Sequence, residues 1–314
     1  MKSVGFHVPV LLDEVLHFLN PEQGDIIFDG TLGGAGHTIE IIKAIAPTGK
    51  VIGVDLHSQT ISTAARRLGS LAGYMIPVND NFANIRHILR RLGIAQIDGI
   101  LLDLGLSSFL IDDSGRGFSY LKDEQLDMRF SDRQEMDAEQ VVNEYSRENL
   151  EKVFKDYGEE RFSSRIAGNI EKIRSRKRIR TTGELVRIIG DSIPAGAYRA
   201  RKGNPAKRVF QAIRMEVNRE PDNLQKVLRD GFESLRSGGR MVVISYHSLE
   251  DRMVKKKFKD LEGICTCPPG LPVCRCGAEK KAVVLTKRAV MPGAREKEAN
   301  PRSHSAKLRA IKKV

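Results

Sequence analysis

Twelve residues, Ile26-Ile-Phe-Asp-Gly-Thr-Leu-Gly-Gly-Ala-Gly-His37, carry the densest chemistry in the chain. Glycines at 30, 33, 34 and 36 follow an apolar strand and precede the helical spacing of Ile39, Ile41 and Ile42. Only glycine lets backbone come so close to a ligand, and a strand, a glycine-rich turn and a helix form the nucleotide-binding corner of a doubly wound sheet. The spacing lacks G-x-G-x-x-G and the lysine of a phosphate loop, which argues against nicotinamide and nucleoside triphosphate chemistry. Two further carboxylates end apolar strands. Asp55 closes Lys50–Val54, 19 residues beyond Gly36, where it can meet the ribose of an adenosine cofactor or cap the next helix. Asp103 closes Ile97–Leu102 at the carboxyl edge of the sheet, where open α/β folds hold their ligands. Phe82 follows the polar turn Asn79-Asp80-Asn81, so it can stack on an adenine ring or fill core. Tyr246 and His247 follow a later strand, Arg240–Ser245.

These residues need a scaffold, and the hydrophobic pattern supplies one. Helices are expected at about 37 to 46 and at Ser62–Leu68, with a short strand over Gly73–Val78. The unbroken run Ile97–Leu102 reads as a strand buried on both faces. From about 113 to 215 the strand pattern stops, and Asp137–Asp156, Glu159–Arg174 and Thr182–Ile189 have helical spacing with cap-like starts. The sheet pattern then resumes. Residues 1–112 and 216–314 therefore read as one discontinuous α/β domain, Rossmann-like, with an inserted helical domain over 113–215. Asn300–Arg309 and the closing Lys312-Lys313 read as a polar, basic tail.

The chain has 314 residues and a net charge of +12, and its charge is segregated. Residues 161–215 hold 15 Lys/Arg against 3 Asp/Glu, whereas 113–160 hold 14 Asp/Glu against 7 Lys/Arg. A concentrated basic block is the footprint expected for a polyanionic partner, or else an ordinary solvated helical face. No signal-like leader and no apolar run of membrane length is present, which reads as a cytoplasmic protein. All four cysteines fall in Cys265-Thr-Cys267-Pro-Pro-Gly-Leu-Pro-Val-Cys274-Arg-Cys276. Two C-x-C pairs around a proline-rich turn fit either structural zinc thiolate or free thiols, and argue against a catalytic metal.

Several longer phrases fall in a fixed order: H-V-P-V-L-L-D-E at 7–14, D-G-T-L-G-G-A-G-H at 29–37, L-L-D-L-G-L-S-S at 101–108 and R-G-F-S-Y at 116–120. L-D-M-R at 126–129, Y-G-E-E-R-F at 157–162, R-V-F-Q-A-I-R at 208–214, S-Y-H-S-L-E-D-R at 245–252 and N-P-R-S-H-S-A-K-L-R at 300–309 continue them. Nearly end to end, the chain resembles the bacterial 16S ribosomal RNA cytosine-N4-methyltransferase family, known as MraW or RsmH.

That resemblance implies a methyltransferase sheet that binds S-adenosylmethionine (SAM) and methylates the exocyclic amine of one cytidine in the decoding region of 16S rRNA, within the small ribosomal subunit. It places cofactor contacts on Gly34, Ala35, Gly36 and His37, then Asp55, Phe82 and Asp103. A further family contact, ordinarily a glutamine, falls on Leu110, where leucine offers only backbone or apolar contact. The (Asn/Asp)-Pro-Pro-aromatic phrase of many amine methyltransferases, DNA enzymes included, is absent. Tyr246 and His247 are then the candidates for stacking on or hydrogen-bonding the cytosine. Asp103 can accept hydrogen bonds from the cytosine amine, or bind cofactor alone. The basic insert is expected to grip RNA phosphates through Arg174, Arg176, Lys177, Arg178 and Arg180, and through Arg199, Arg201, Lys202, Lys207 and Arg208. The competing reading of another class is a nucleic-acid-binding protein with a vestigial cofactor fold, which SAM binding would distinguish.

Overall fold

A computed structural model of the protein describes residues 9–105, 115–131, 134–200, 203–263, 267 and 279–314. The chain divides into two compact units, Met1–Gly105 with Asp222–Val314, and Leu106–Pro221. The insert thus starts seven residues earlier and ends six later than the change of hydrophobic pattern suggests.

In the first unit, β1 (Ile26–Asp29), β2 (Lys50–Asp55), β3 (Met75–Asn79), β4 (Ile97–Asp103) and β5 (Leu235–Ser245) run parallel, while β6 (Ala282–Val284) and β7 (Lys307–Lys313) complete the sheet. The order is β3-β2-β1-β4-β5-β7-β6, with β7 antiparallel to both its neighbours. Strand order reverses between β1 and β4, and that switch point opens a crevice at the carboxyl ends. Alternate residues along each strand face opposite layers. Phe28, Ile52, Ile100, Leu102, Met241 and Val243 pack on α4 (Ile85–Arg91), α11 (Glu220–Ser234) and α12 (Ser248–Glu262). Ile27, Val51, Leu101, Val242 and Ile244 pack on α1 (Leu12–Leu19), α2 (Gly36–Ile45) and α3 (Ser58–Leu68).

Two local expectations shift. α3 begins at Ser58, four residues before the spacing suggested, and Gly69–Tyr74 forms a 3-10 turn so that β3 begins only at Met75. A larger correction concerns the expected tail. Residues 307–313 form β7, where Leu308, Ala310 and Ile311 are fully buried between β5 and β6. Buried Arg309 pairs there with Asp251 at 2.6 Å. The basic residues of 307–313 hid a strand whose pairing partners on β5 are more than sixty residues away in sequence.

The second unit is helical around its own core. Its helices are α5 (Ala138–Glu144), α6 (Arg147–Asp156), α7 (Ser163–Arg174), α8 (Thr182–Ser192), α9 (Ala195–Ala200) and α10 (Ala206–Val217). The expected segment Asp137–Asp156 is two helices, because Tyr145 is extended and the Ser146 side chain caps a new start. Glu159–Phe162 stay outside α7, and α8 runs three residues past Ile189.

Capping boxes begin α5 (Asp137 with Gln140) and α8 (Thr181 with Glu184). Backbone amides of Arg180 and Thr181, with Lys177 at 2.6 Å, hold the Glu184 carboxyl down at about 2. A depressed folded value stabilises fully above the ordinary range near 4.5 and is lost as pH falls toward 2. Glu184→Gln keeps the cap and removes the charge. Wild type is expected to melt above this variant at neutral pH, with the gap closing as pH falls from about 4.5 to 2; a gap independent of pH would refute the linkage.

Candidate active site

The site is built on the first unit, at the carboxyl ends of β1, β2, β4 and β5. Three backbone contacts pin the glycine loop after β1. Gly30 N–H donates to the Leu101 carbonyl and Leu32 N–H to the Val54 carbonyl, each at 3.0 Å, and Gly33 N–H donates to Asp55 Oδ2 at 3.2 Å. Gly33 (φ +47°) and Ala35 (φ +58°) take left-handed backbone to turn the chain into α2. Ala35 precedes α2 without any side-chain cap on its first amides, so this helix start is open to an anionic group. A Cβ at Gly36 would meet the Pro9 ring at 3.2 Å, and one at Gly34 would meet Arg67 Nη1 at 3.2 Å. At Gly36 a side chain would press on the proline ring, so the backbone there runs close against Pro9.

His37 is buried, and its Nε2 lies 2.9 Å from the Val10 carbonyl oxygen. That bond ties the stretch before α1 over the start of α2 and directs the ring to protein. Leu11 N–H donates to Glu296 Oε1 at 2.8 Å, and the Leu11 side chain is buried. Pro9 to Leu11 thus both pack and border the loop.

Asp55 accepts from Gly33 N–H through Oδ2 and from His57 N–H at 2.9 Å through Oδ1. Burial pushes its carboxyl upward, and the two amides oppose that shift. Each oxygen keeps acceptor capacity for a diol hydroxyl. Phe82 begins a 3-10 turn after β3, half-buried against the core, where a Cβ on Gly30 would stand 3.0 Å from its Cβ. One side of Phe82 is thus core, and the residue sits beside the loop.

Asp103 hangs its N–H on Thr31 Oγ1 at 2.7 Å. Thr31 in turn donates its N–H to Asp29 Oδ1 at 3.1 Å, while Thr38 donates its hydroxyl to Asp29 Oδ2 at 2.5 Å. Burial pushes the Asp29 carboxyl upward, opposed chiefly by the Thr38 hydroxyl. Asp29 is thus the buried knot tying β1, the loop and α2 together. The Tyr246 hydroxyl donates to Asp103 Oδ1 at 2.8 Å, and burial with that neighbouring carboxylate drives the phenol far above its usual range. Tyr246 reaches Asp103 across Gly105, where a Cβ would meet its ring at 3.0 Å. Among the described residues, no donor meets Asp103 Oδ2.

Glu250, buried, organises the corner after β5. Its Oε2 accepts Tyr246 N–H at 2.9 Å, and its own N–H donates to His247 Nδ1 at 3.4 Å. His247 Nε2 lies 3.0 Å from Glu250 Oε1 without hydrogen-bond geometry. His247 is therefore the N-cap of α12 through Nδ1, while its Nε2 makes no hydrogen bond. Asp251, in the first turn, pairs with Arg309 on β7, which holds its carboxyl below the usual range against burial. Sequence reasoning did not single out Asp29, Thr31 or Glu250 as site residues, although all three lie in the quoted phrases. Leu110 lies outside the described residues, as do Cys265, Cys274 and Cys276; Cys267 is half-buried.

A glycine-rich loop, an uncapped helix start and the strand-end carboxylates Asp55 and Asp103 thus gather at the switch point of an α/β sheet, the place where proteins of this fold class hold their ligands. The family model described as the MraW methylase family matches residues 5–314, and the chain belongs to that family. It is 48% identical over 308 residues to the ribosomal RNA small subunit methyltransferase H of Clostridium botulinum (strain Loch Maree / Type A3), covering 98% of this chain and 99% of the relative. It is 47% identical to the protein of the same name from Halothermothrix orenii, over 98% of both chains. The Ruminiclostridium cellulolyticum relative, also of that name, is 45% identical over 98% and 99%. The protein is a methyltransferase.

Proposed function

We propose that the protein transfers a methyl group from SAM to the exocyclic N4 of one cytidine in the decoding region of small-subunit rRNA. The observation that carries the chemistry is the Asp103–Tyr246 pair beside the glycine loop. The relatives' printed name supports ribosomal RNA as the substrate. SAM, when bound, supplies a methyl group already activated on a sulfonium, so the protein's task is alignment.

The residues fit that cofactor. The uncapped start of α2 suits its carboxylate, Asp55 its ribose hydroxyls, and Phe82 its adenine. The acceptor is harder, because a cytosine amine delocalises its lone pair into the ring. A carboxylate accepting from that amine favours the pyramidal, nucleophilic nitrogen and also recognises cytosine. Asp103 Oδ2 is the acceptor, while Tyr246 fixes Oδ1 and so sets the direction of Oδ2. The proton released on methylation leaves to water, so no side chain is needed as a base.

Tyr246→Phe keeps the ring over Gly105 and removes the hydroxyl. A hydrogen bond to a charged group is worth about 1.5–3 kcal/mol, so single-turnover methylation is expected to slow roughly 10- to 100-fold at unchanged SAM affinity. An unchanged rate would show that Tyr246 serves packing alone.

The reaction itself is tested by incubating the protein with tritiated SAM and unmodified small ribosomal subunits, with naked RNA in parallel, and identifying the labelled nucleoside. N4-methylcytidine is expected. Label in another nucleoside overturns the position, and no label in either RNA overturns the substrate.

A further inference from the structure

The basic block of the insert is partly spent inside its own unit. Arg178 pairs with Glu139 at 2.6 Å and Glu144 at 2.9 Å, Lys177 pairs with Glu184, and Arg174 and Arg208 donate to the carbonyls of Val142 and Glu159. The acidic stretch before the block is thus its counter-charge. Arg201 and Lys202 lie outside the described residues.

Unspent charge also stands on the methyltransferase unit. Along α12, Arg252, Lys255, Lys256 and Lys259 repeat at i, i+3, i+4 and i+7, all exposed, opposite the buried Val254, Phe258 and Leu261; Arg252 has a partner of its own, so the three lysines carry the unspent charge. Among the described residues no acid pairs with Lys255, Lys256 or Lys259, not even Asp260 one turn beyond Lys256. Lys259 complements the helix dipole, but Lys255 and Lys256 sit mid-helix and gain nothing from it. Like charges at these spacings cost a helix a few tenths of a kcal/mol each, and a helix that only needed solvation would interleave acids. In the same layer, α4 exposes Arg90 and Arg91 without an acid partner among the described residues. The opposite layer is not basic: the exposed charges of α1, α2 and α3 are Asp13, Lys43 and Arg66. α12 begins directly after Tyr246 and His247, so its stripe starts about one turn from the site and continues for roughly 10 Å.

We propose that the exposed stripe of α12 is a second RNA-phosphate interface, carried by the methyltransferase unit itself and gripping the substrate backbone beside the target nucleotide. The proposal rests on the ribosomal RNA reading above. Phosphate contacts of this kind position a substrate without reading its sequence.

The test uses the full-length protein carrying Lys255→Gln, Lys256→Gln and Lys259→Gln together, with unmethylated small subunits and tritiated SAM. KM for subunits is expected to rise on the order of tenfold near physiological salt, with kcat and SAM affinity unchanged. The dependence of log KM on log salt is expected to flatten by about 2, the share of three released counterions. Lys43→Gln with Arg66→Gln, on the opposite layer, is expected to match wild type. A triple variant with wild-type KM and salt slope overturns the proposal while leaving the reaction intact. Loss of binding to anionic vesicles with subunit KM unchanged also overturns it, by assigning the stripe to a membrane surface. A wild-type protein that labels no ribosomal RNA overturns the underlying reading, and that result precedes any variant.

Discussion

Asp103→Asn is expected to lower the methylation rate about a thousandfold while SAM affinity is largely retained. The magnitude is that of losing one preorganised hydrogen-bonding group aimed at charge that develops in the transition state, about 10²–10³-fold. Asparagine occupies the same volume and can still accept from Tyr246, so the strand end and the Thr31 anchor survive. What it loses is the charge on the second oxygen, and its amide group presents donors where the cytosine amine needs an acceptor. Two measurements separate the roles: calorimetric SAM binding and single-turnover methylation of small subunits. Lost SAM binding with normal single-turnover chemistry at saturating SAM would make Asp103 a cofactor ligand only.

Asp55→Ala has the second-largest expected effect, on binding. Two charge-assisted hydrogen bonds to a ribose diol are worth about 1.5–3 kcal/mol each, so the SAM dissociation constant is expected to rise at least about a hundredfold. The substitution also releases Gly33 N–H, which the carboxylate holds at 3.2 Å, so the loop loses an anchor together with its ligand contact. Turnover at saturating SAM is expected to fall far less than for Asp103→Asn, because Asp55 sits on β2 and does not reach the Asp103–Tyr246 pair. Unchanged SAM affinity would leave Asp55 as the brace of the loop and the partner of His57 N–H.

The different fates of these residues follow how local their roles are. The glycine loop was legible because its determinants lie within twelve residues: apolar strand, acid, glycines, helix. Asp55 and Asp103 were legible because an acid ending an apolar run marks the carboxyl edge of a buried strand. His247 carries a local role that its type does not announce. It stands at the start of a helix, and its Nδ1 accepts Glu250 N–H as the N-cap of α12. The expected tail failed because the alternation at 307–313 is masked by lysines and arginine, and its strand character depends on β5 and β6.

The charge segregation taught a similar lesson. Basic 161–215 and acidic 113–160 are conspicuous in one dimension, yet folding brings Arg178 onto Glu139 and Glu144 and cancels part of the contrast. Meanwhile the α12 lysines, unremarkable in a helix that also contains acids, are left bare because its acids gather at the two ends.

By itself, then, the sequence determined the α/β class, the helical insertion, the glycine loop and the strand-end acids, since each is written in contiguous residues whose backbone and periodicity preferences are local. Only the tertiary structure decided that Tyr246 holds Asp103 across 143 residues, that Asp29 knots the loop beneath them, and which cations remain free. Those outcomes depend on distances of a few ångströms between segments far apart along the chain, which no local pattern encodes.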